Sequence, residues 1–186
     1  MAIKMIAVVD GHGAIGRENG LLAHLPDDWR FFMDNTIGHG VLMGRKTYES
    51  LPSFGKQSGG KHLPRRYNFV LTRQPIFYGR AVETLGSVEE ALFIAESVQR
   101  RGKDFWIIGG AEIYDLFSDH VDEVYLTYVN HVFPDADAFF PLDFLRELES
   151  TDKWDYESLG KHEADERHAY SFEFVKYTRI KGEETS

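Results

Sequence analysis

Three sets of residues in this chain have the types and spacing to do chemistry. The first is a pair of acids in Leu25-Pro26-Asp27-Asp28-Trp29-Arg30-Phe31-Phe32. Pro26 suits the first turn of a helix, where its missing N–H costs nothing. Acids in that turn complement the helix dipole. Helical spacing then separates the pair. Asp27 shares a side with Arg30 and Asp34, whereas Asp28 shares one with Leu25, Phe31 and Phe32. A carboxylate on an apolar, aromatic face is costly unless something pairs with it. Asp28 is therefore either a capping acid at a helix start or the polar anchor of a buried ligand.

The second set is two glycine junctions, each after a strand-like run and before a helix. Met43-Gly44-Arg45-Lys46-Thr47 offers backbone N–H groups, two cations and a hydroxyl, which suit an anion. Gly109-Gly110-Ala111 lets a backbone approach something closely. Neither is a Walker loop or a G-x-G-x-x-G fingerprint. Taken singly, each reads first as a tight structural turn. Together they suggest a long anion containing a pyrophosphate, with Arg73 either a further cation or a solvated surface arginine.

The third set is the eight histidines. They show no zinc spacing and no HExxH, so no metal site is expected. No GxSxG elbow is present to support serine hydrolase chemistry. One inward acid, two cradles and few other interior polar groups fit an enzyme whose hard chemistry belongs to a cofactor. They would also fit a nucleotide-binding module without turnover, although the enzyme is the favoured reading.

Short apolar runs and amphipathic segments must position these groups. Strands are predicted over Ile3–Val9, Tyr67–Leu71, Ala81–Glu83, Phe105–Ile108, Val121–Val129, Trp154–Ser158 and Ala169–Tyr177, with another short one before Gly44. Helices are predicted from Pro26, from Arg45 to the stop at Pro52, after the Ser87 cap with Glu90 three residues on, and over Ala111–Phe117. Asp10–Gly20 holds four glycines in eleven positions and reads as a mobile lid or an ordinary surface connection. Pro52–His62 and Asn130–Pro141 read as loops, Lys161–His168 as a charged turn, and Gly182–Ser186 as a frayed end. Alternating strands and helices imply a parallel sheet with right-handed crossovers, and the two late strands an antiparallel edge.

The length of 186 residues suits one domain, expected over residues 1–180 with a tail at 181–186. A net charge of −9 argues against a nucleic-acid partner. With no cysteine there is no disulfide or thiolate, which fits a reducing, cytoplasmic setting. The opening MAIKMIAVVD is too short an apolar run for a signal peptide or membrane span.

Over Ile3 to about Arg179 the chain resembles dihydrofolate reductase. The matching pieces are IAVVD, AIGREN, LPDDWRFF, VLMGRKTYES, LPRRYNFVLTR, WIIGGAEIY, VYLTYV, FFP and AYSFEFVKY, in the family's order and spacing. The resemblance implies an α/β fold: a central eight-stranded, mostly parallel mixed sheet with an antiparallel C-terminal edge and helices on both faces. It implies NADPH-dependent reduction of 7,8-dihydrofolate to tetrahydrofolate, which feeds one-carbon metabolism. Hydride would pass to C6, with protonation at N5.

Residue by residue, Asp28 resembles the acid that bonds the pterin N3 and 2-amino group, and Thr127 the hydroxyl that supports it; these are the two catalytic candidates. Phe32 resembles the aromatic packed on the pterin. Ile6, Ala7, Val8, Leu51 and Ile108 would line the substrate pocket, with Ile6 and Ile108 presenting carbonyls. Tyr114 would pack near the pocket floor and the nicotinamide. Arg66 resembles the arginine that grips the glutamate α-carboxylate, a task for a guanidinium fork. On the cofactor side, Ala7 and Ile15 would meet the carboxamide, with Gly16, Asn19, Leu21 and Ile108 nearby. Gly44, Arg45, Lys46 and Thr47 resemble one phosphate cradle. Gly109, Gly110, Ala111, Glu112 and Ile113 resemble the other, including a cis Gly–Gly link. Arg45, Leu71, Thr72 and Arg73 would surround the adenosine 2′-phosphate.

Three departures stand out. Leu22-Ala23 replaces the family's usual Pro-Trp, which leaves a larger, wetter pocket unless a side chain such as His24 compensates. Leu21 replaces a methionine. Ser53–His62 is longer than in compact members and could reshape the pocket mouth. The expected partners are dihydrofolate and antifolates such as methotrexate or trimethoprim, with no membrane and a monomeric state. The rivals are a reductase of another pterin or a ribosylated pyrimidine, and a non-catalytic folate-binding protein.

Overall fold

The computed structural model describes residues 2–52, 62–74, 80–150 and 152–181. Its frame is an eight-stranded sheet. In chain order the elements are β1 (Ile3–Val9), β2 (Ala14–Gly16), α1 (Pro26–Thr36), β3 (Gly40–Gly44), α2 (Arg45–Ser50), β4 (Tyr67–Leu71) and β5 (Val82–Leu85). Then follow α3 (Val88–Arg100), β6 (Phe105–Ile107), α4 (Ala111–Phe117), β7 (Glu123–Val129), β8 (Ala138–Phe139), α5 (Leu142–Glu149), β9 (Trp154–His162) and β10 (Phe172–Arg179). The sheet order is β5-β4-β3-β6-β1-β7-β10-β9. All pairings from β5 to β7 are parallel, and β10 runs antiparallel to both β7 and β9.

The central strands are apolar because both faces are covered. Alternate residues divide between two cores. Met5, Leu42, Phe105, Ile107, Val124 and Leu126 pack with Ala91 and Ala95 of α3, Ile113 and Phe117 of α4, and Phe144 of α5. Ile6, Val41, Met43, Trp106 and Tyr125 pack with Tyr48 of α2 and Phe31 and Phe32 of α1 on the opposite face. The helix that carries Asp28 thus lies across the strands that must position its partners.

Several boundaries differ from expectation. The strand expected at Ala81–Glu83 is Val82–Leu85, and β9 runs to His162, well past Ser158. The glycine-rich segment Asp10–Gly20 contains β2, paired with β8 inside the supposed loop Asn130–Pro141. The fold also contains α5, whose amphipathic face buries Phe144, Leu145 and Leu148. Ser87 caps α3 as expected, its side chain accepting from Glu90 N. The Gly109–Gly110 peptide is cis. Of the stretch Ser53–His62 only His62 is described, and of the tail only Lys181, which is exposed.

Candidate active site

The carboxyl ends of β3, β6 and β1, three neighbours in the sheet, open onto a cavity of about 310 Å³. This is where parallel sheets place ligands. Ile6, Ala7, Val8 and Ile108 line it from the sheet, and Asp28, Trp29 and Phe32 from α1. Thr47 and Leu51 come from α2 and its exit, and Gly109, Gly110, Ala111 and Tyr114 from the second junction. Ile15, Gly16, Asn19 and Leu21 close it from the loop after β1.

Asp28 enters from the first turn of α1. The residue before that helix, Leu25, makes no side-chain cap, and the Asp28 carboxylate is spent elsewhere. Its Oδ1 accepts a 2.6 Å hydrogen bond from Thr127 Oγ1. Burial pushes the carboxyl up to about 6, and the Thr127 bond pulls it back. The capping reading is therefore set aside. Thr127 is buried within β7 and does not itself line the cavity. It reaches Asp28 because β7 pairs with β1 in a register that sets Thr127 beside Val8.

Tyr114 donates its hydroxyl to the Ile6 carbonyl at 2.8 Å, and burial holds the phenol above its ordinary range. It therefore remains a neutral donor. Gly109, at φ +107, lies so close that a Cβ there would sit 3.0 Å from the Tyr114 ring. Arg66 does not line this cavity; it is buried with its guanidinium 5.8 Å from the ring of Phe32, which does, and it borders a separate cleft with His62 and Tyr67. Its Nε donates to Thr36 Oγ1, its Nη1 to the Pro64 carbonyl and its Nη2 toward Met33 in the last turns of α1. Desolvation works against its charge, and no carboxylate pairs with it among the described residues.

The cofactor candidates divide. Thr47 and Gly110 meet across the cavity, where a Cβ on Gly110 would lie 3.4 Å from Thr47 Oγ1. Gly44 is buried and its N–H already donates to the Gly109 carbonyl at 2.8 Å, so it ties the junctions together and is not a free donor. A Cβ there would lie 3.0 Å from Ile113. Ile113 and Leu71 are likewise core, not lining. Lys46 is exposed and joins the site only through its carbonyl, which accepts from Asn19 Nδ2 at 3.1 Å. Arg45 bonds Gln74 and pairs with Glu49. Arg73, almost wholly exposed, lies 3.8 Å from Glu112, and Thr72 Oγ1 accepts from Gln74 N. These side chains cluster at one corner because β3 and β4 are paired with Gly44 opposite Leu71.

Ala23 packs against Leu25, Val129 and Phe172 and does not line the cavity, and His24 is exposed, so it does not fill the missing tryptophan's place. Several lining residues escaped the sequence reading, among them Arg17, Ser50, Leu63 and Trp29, and so did the buried Asp10. Trp29 lines the cavity and stacks on Phe32 at 5.4 Å between centroids. Asp10 is buried and accepts from the N–H groups of His12, Ala14 and Phe133, which anchors the loop to the segment before β8. A glycine-flanked acid directly after a buried strand was the available signal. The loop is tied further by Arg17 to Asp135 and by Glu18 N to Asp137.

A family model described as dihydrofolate reductase matches residues 2–179. The dihydrofolate reductase of Staphylococcus haemolyticus is 30% identical over 181 residues, 97% of this chain and 98% of its own. The type 3 enzyme of Salmonella typhimurium is 33% identical, covering 96% and 99%. The solved enzyme of Enterococcus faecalis, complexed with NADP(H) and RAB-propyl, superposes with a TM-score of 0.75 at 27% identity, covering 97% and 100%. With matches spanning nearly its whole length and the same layered sheet, this chain belongs to the dihydrofolate reductase family.

Proposed function

We infer that this protein catalyses NADPH-dependent reduction of 7,8-dihydrofolate to 5,6,7,8-tetrahydrofolate, with hydride delivered to C6 and a proton to N5. The observation that carries this reading is Asp28. It is a half-buried acid poised near neutrality, held by Thr127, in an apolar cavity that the two glycine junctions also border. When bound, NADPH supplies the hydride from C4 of its nicotinamide.

The chain's own residues supply position and charge. Asp28 accepts from the pterin N3 and 2-amino group, and as an anion it favours the substrate protonated at N5. Thr127 fixes the rotamer of that carboxylate. Tyr114 and Ile6 hold one wall, and Phe32 and Trp29 pack on the ring and its tail. Arg66, buried with no carboxylate partner among the described residues, takes the α-carboxylate of the glutamate. Thr47 and Gly110 bring the starts of α2 and α4 together, where first-turn N–H groups would take the pyrophosphate, and Arg45, Thr72 and Arg73 would hold the 2′-phosphate. The loop from Asp10, which lines the cavity with Ile15, Gly16, Asn19 and Leu21, would cover the nicotinamide and exclude water. The same cavity suits antifolates such as methotrexate and trimethoprim, and the protein acts as a monomer, which light scattering on a sizing column tests. No helix among the described residues is long and apolar enough to cross a membrane.

Loss of NADPH absorbance in the near ultraviolet, measured with dihydrofolate, tests the reading. Turnover that needs both substrates is expected. Turnover only with another pterin or a ribosylated pyrimidine would reassign the substrate. Tight folate binding without turnover would make it a binding module.

A further inference from the structure

On the outer side of α1, away from the cavity, the first turn faces the end of β9 and the turn before β10. Asp27 Oδ2 lies 3.0 Å from His162 Nε2 and 3.7 Å from His168 Nε2, and the three atoms all lie within 4.8 Å of one another. The other nitrogen of each ring is engaged. His168 Nδ1 is 2.8 Å from Asp165 Oδ1, and His162 Nδ1 is 2.6 Å from the Glu163 carbonyl. Those oxygens only accept, so each Nδ1 carries the ring proton; the His168 Nε2 lone pair receives the Asp27 N–H, and that of His162 is aimed at the Asp27 carboxylate. His168 is wholly buried, its ring packed on His162 and Phe172, which fixes its direction. A neutral His162 then sets lone pair against carboxylate at hydrogen-bond distance, an arrangement that calls for a cation or a proton between them.

We propose that Asp27, His162 and His168 form a binding site for a divalent ion of the zinc class, which staples the start of α1 to the β9–β10 connection. Zinc bonds of about 2.0–2.2 Å put tetrahedral ligand atoms about 3.3 Å apart, between the 3.0 and 3.7 Å found here. A carboxylate and a carbonyl behind the rings are the partners that orient metal-binding imidazoles. Imidazole with carboxylate selects zinc, cobalt or nickel over magnesium. Two groups compete for the same atoms. Arg167 Nη2 lies 3.3 Å from Asp27 Oδ2, but its side chain is 61% exposed and has open solvent to move into when an ion binds. The Asp27 N–H donates to His168 Nε2 at 3.2 Å and is released to water when the ion binds. The ligands come from positions as far as 141 residues apart, which is why no motif spacing announced them.

Calorimetric titration of chelator-treated, full-length protein with Zn²⁺ tests this. One equivalent binds, and Co²⁺ at the same site gives the visible absorption of a tetrahedral ion. His162→Ala and Asp27→Asn each weaken binding by about tenfold or more, Arg167→Ala strengthens it, and His120→Ala, remote from the cluster, changes nothing. Asp27→Asn preserves side-chain shape, so its result stands even if His162→Ala folds poorly. Absence of binding at millimolar Zn²⁺ would overturn the proposal and leave a hydrogen-bonded clamp with a protonated His162. Unchanged binding in Asp27→Asn and His162→Ala, or equal binding of Mg²⁺, would overturn it as well.

Discussion

Asp28 should carry a stability cost that pH reveals in the ligand-free protein. Its carboxyl is pushed from 3.8 to about 6 in the fold, with burial the larger cause. At 1.36 kcal/mol per pH unit, that interval corresponds to about 3 kcal/mol for holding the side chain ionised. Below 3.8 the group is protonated whether the chain is folded or unfolded, and there is no cost. As pH rises from 3.8 toward 6 the unfolded chain gives up its proton first, so stability falls. Above 6 the full cost is present. Asparagine keeps an oxygen for the Thr127 hydroxyl but carries no charge. Asp28→Asn is therefore expected to gain on the wild type through this window, by at most about 3 kcal/mol at alkaline pH, less the cost of an amide N–H₂ facing the cavity. Urea unfolding of both proteins across the range measures it, and taking the difference cancels every other titrating group. A difference that stays level with pH, or one that favours the wild type as pH rises, would refute the burial argument.

Thr127→Val removes the 2.6 Å bond that lowers the Asp28 carboxyl; the pH–rate inflection should move alkaline and stability fall by about 1–3 kcal/mol. Arg66→Lys loses the fork held by Thr36 and Pro64. KM for dihydrofolate should rise about 10- to 100-fold, with KM for NADPH unchanged and no penalty for a pterin substrate that lacks the glutamate. Asp10→Ala leaves three N–H groups without their acceptor, and thermal denaturation should show a loss of at least about 2 kcal/mol. Gly44→Ala forces a Cβ to 3.0 Å from Ile113, and should cost about 1–3 kcal/mol in urea unfolding.

The parallel half of the fold was legible because its signals are local. Val41, Leu42 and Met43 end at a glycine that opens a helix, and Ser87 caps α3 through Glu90. Pro26 and the apolar spacing around Asp28 likewise placed the acid on the inner side of α1. What escaped depends on distant chain. β8 is two residues long and exists because β2 pairs with it. Helix α5 follows Pro141, which offers no side-chain cap, and carries charge through much of its length. Thr127 looks like any strand threonine until the register of β7 on β1 brings it to Asp28, 99 positions away. Gly44 and Ile113, read by resemblance as phosphate contacts, turn out to lock the two junctions to each other, a packing role that spacing does not distinguish from a binding one.

The most direct test of the central claim is the pH profile of NADPH-linked dihydrofolate reduction in the wild type and in Asp28→Asn. The wild type should turn over with an inflection near the acid's value of about 6. The variant should lose turnover steeply at neutral pH and recover part of it in acid, where solvent protonates the substrate. Equal loss at every pH, or a variant as fast as the wild type at neutrality, would contradict the role given to Asp28.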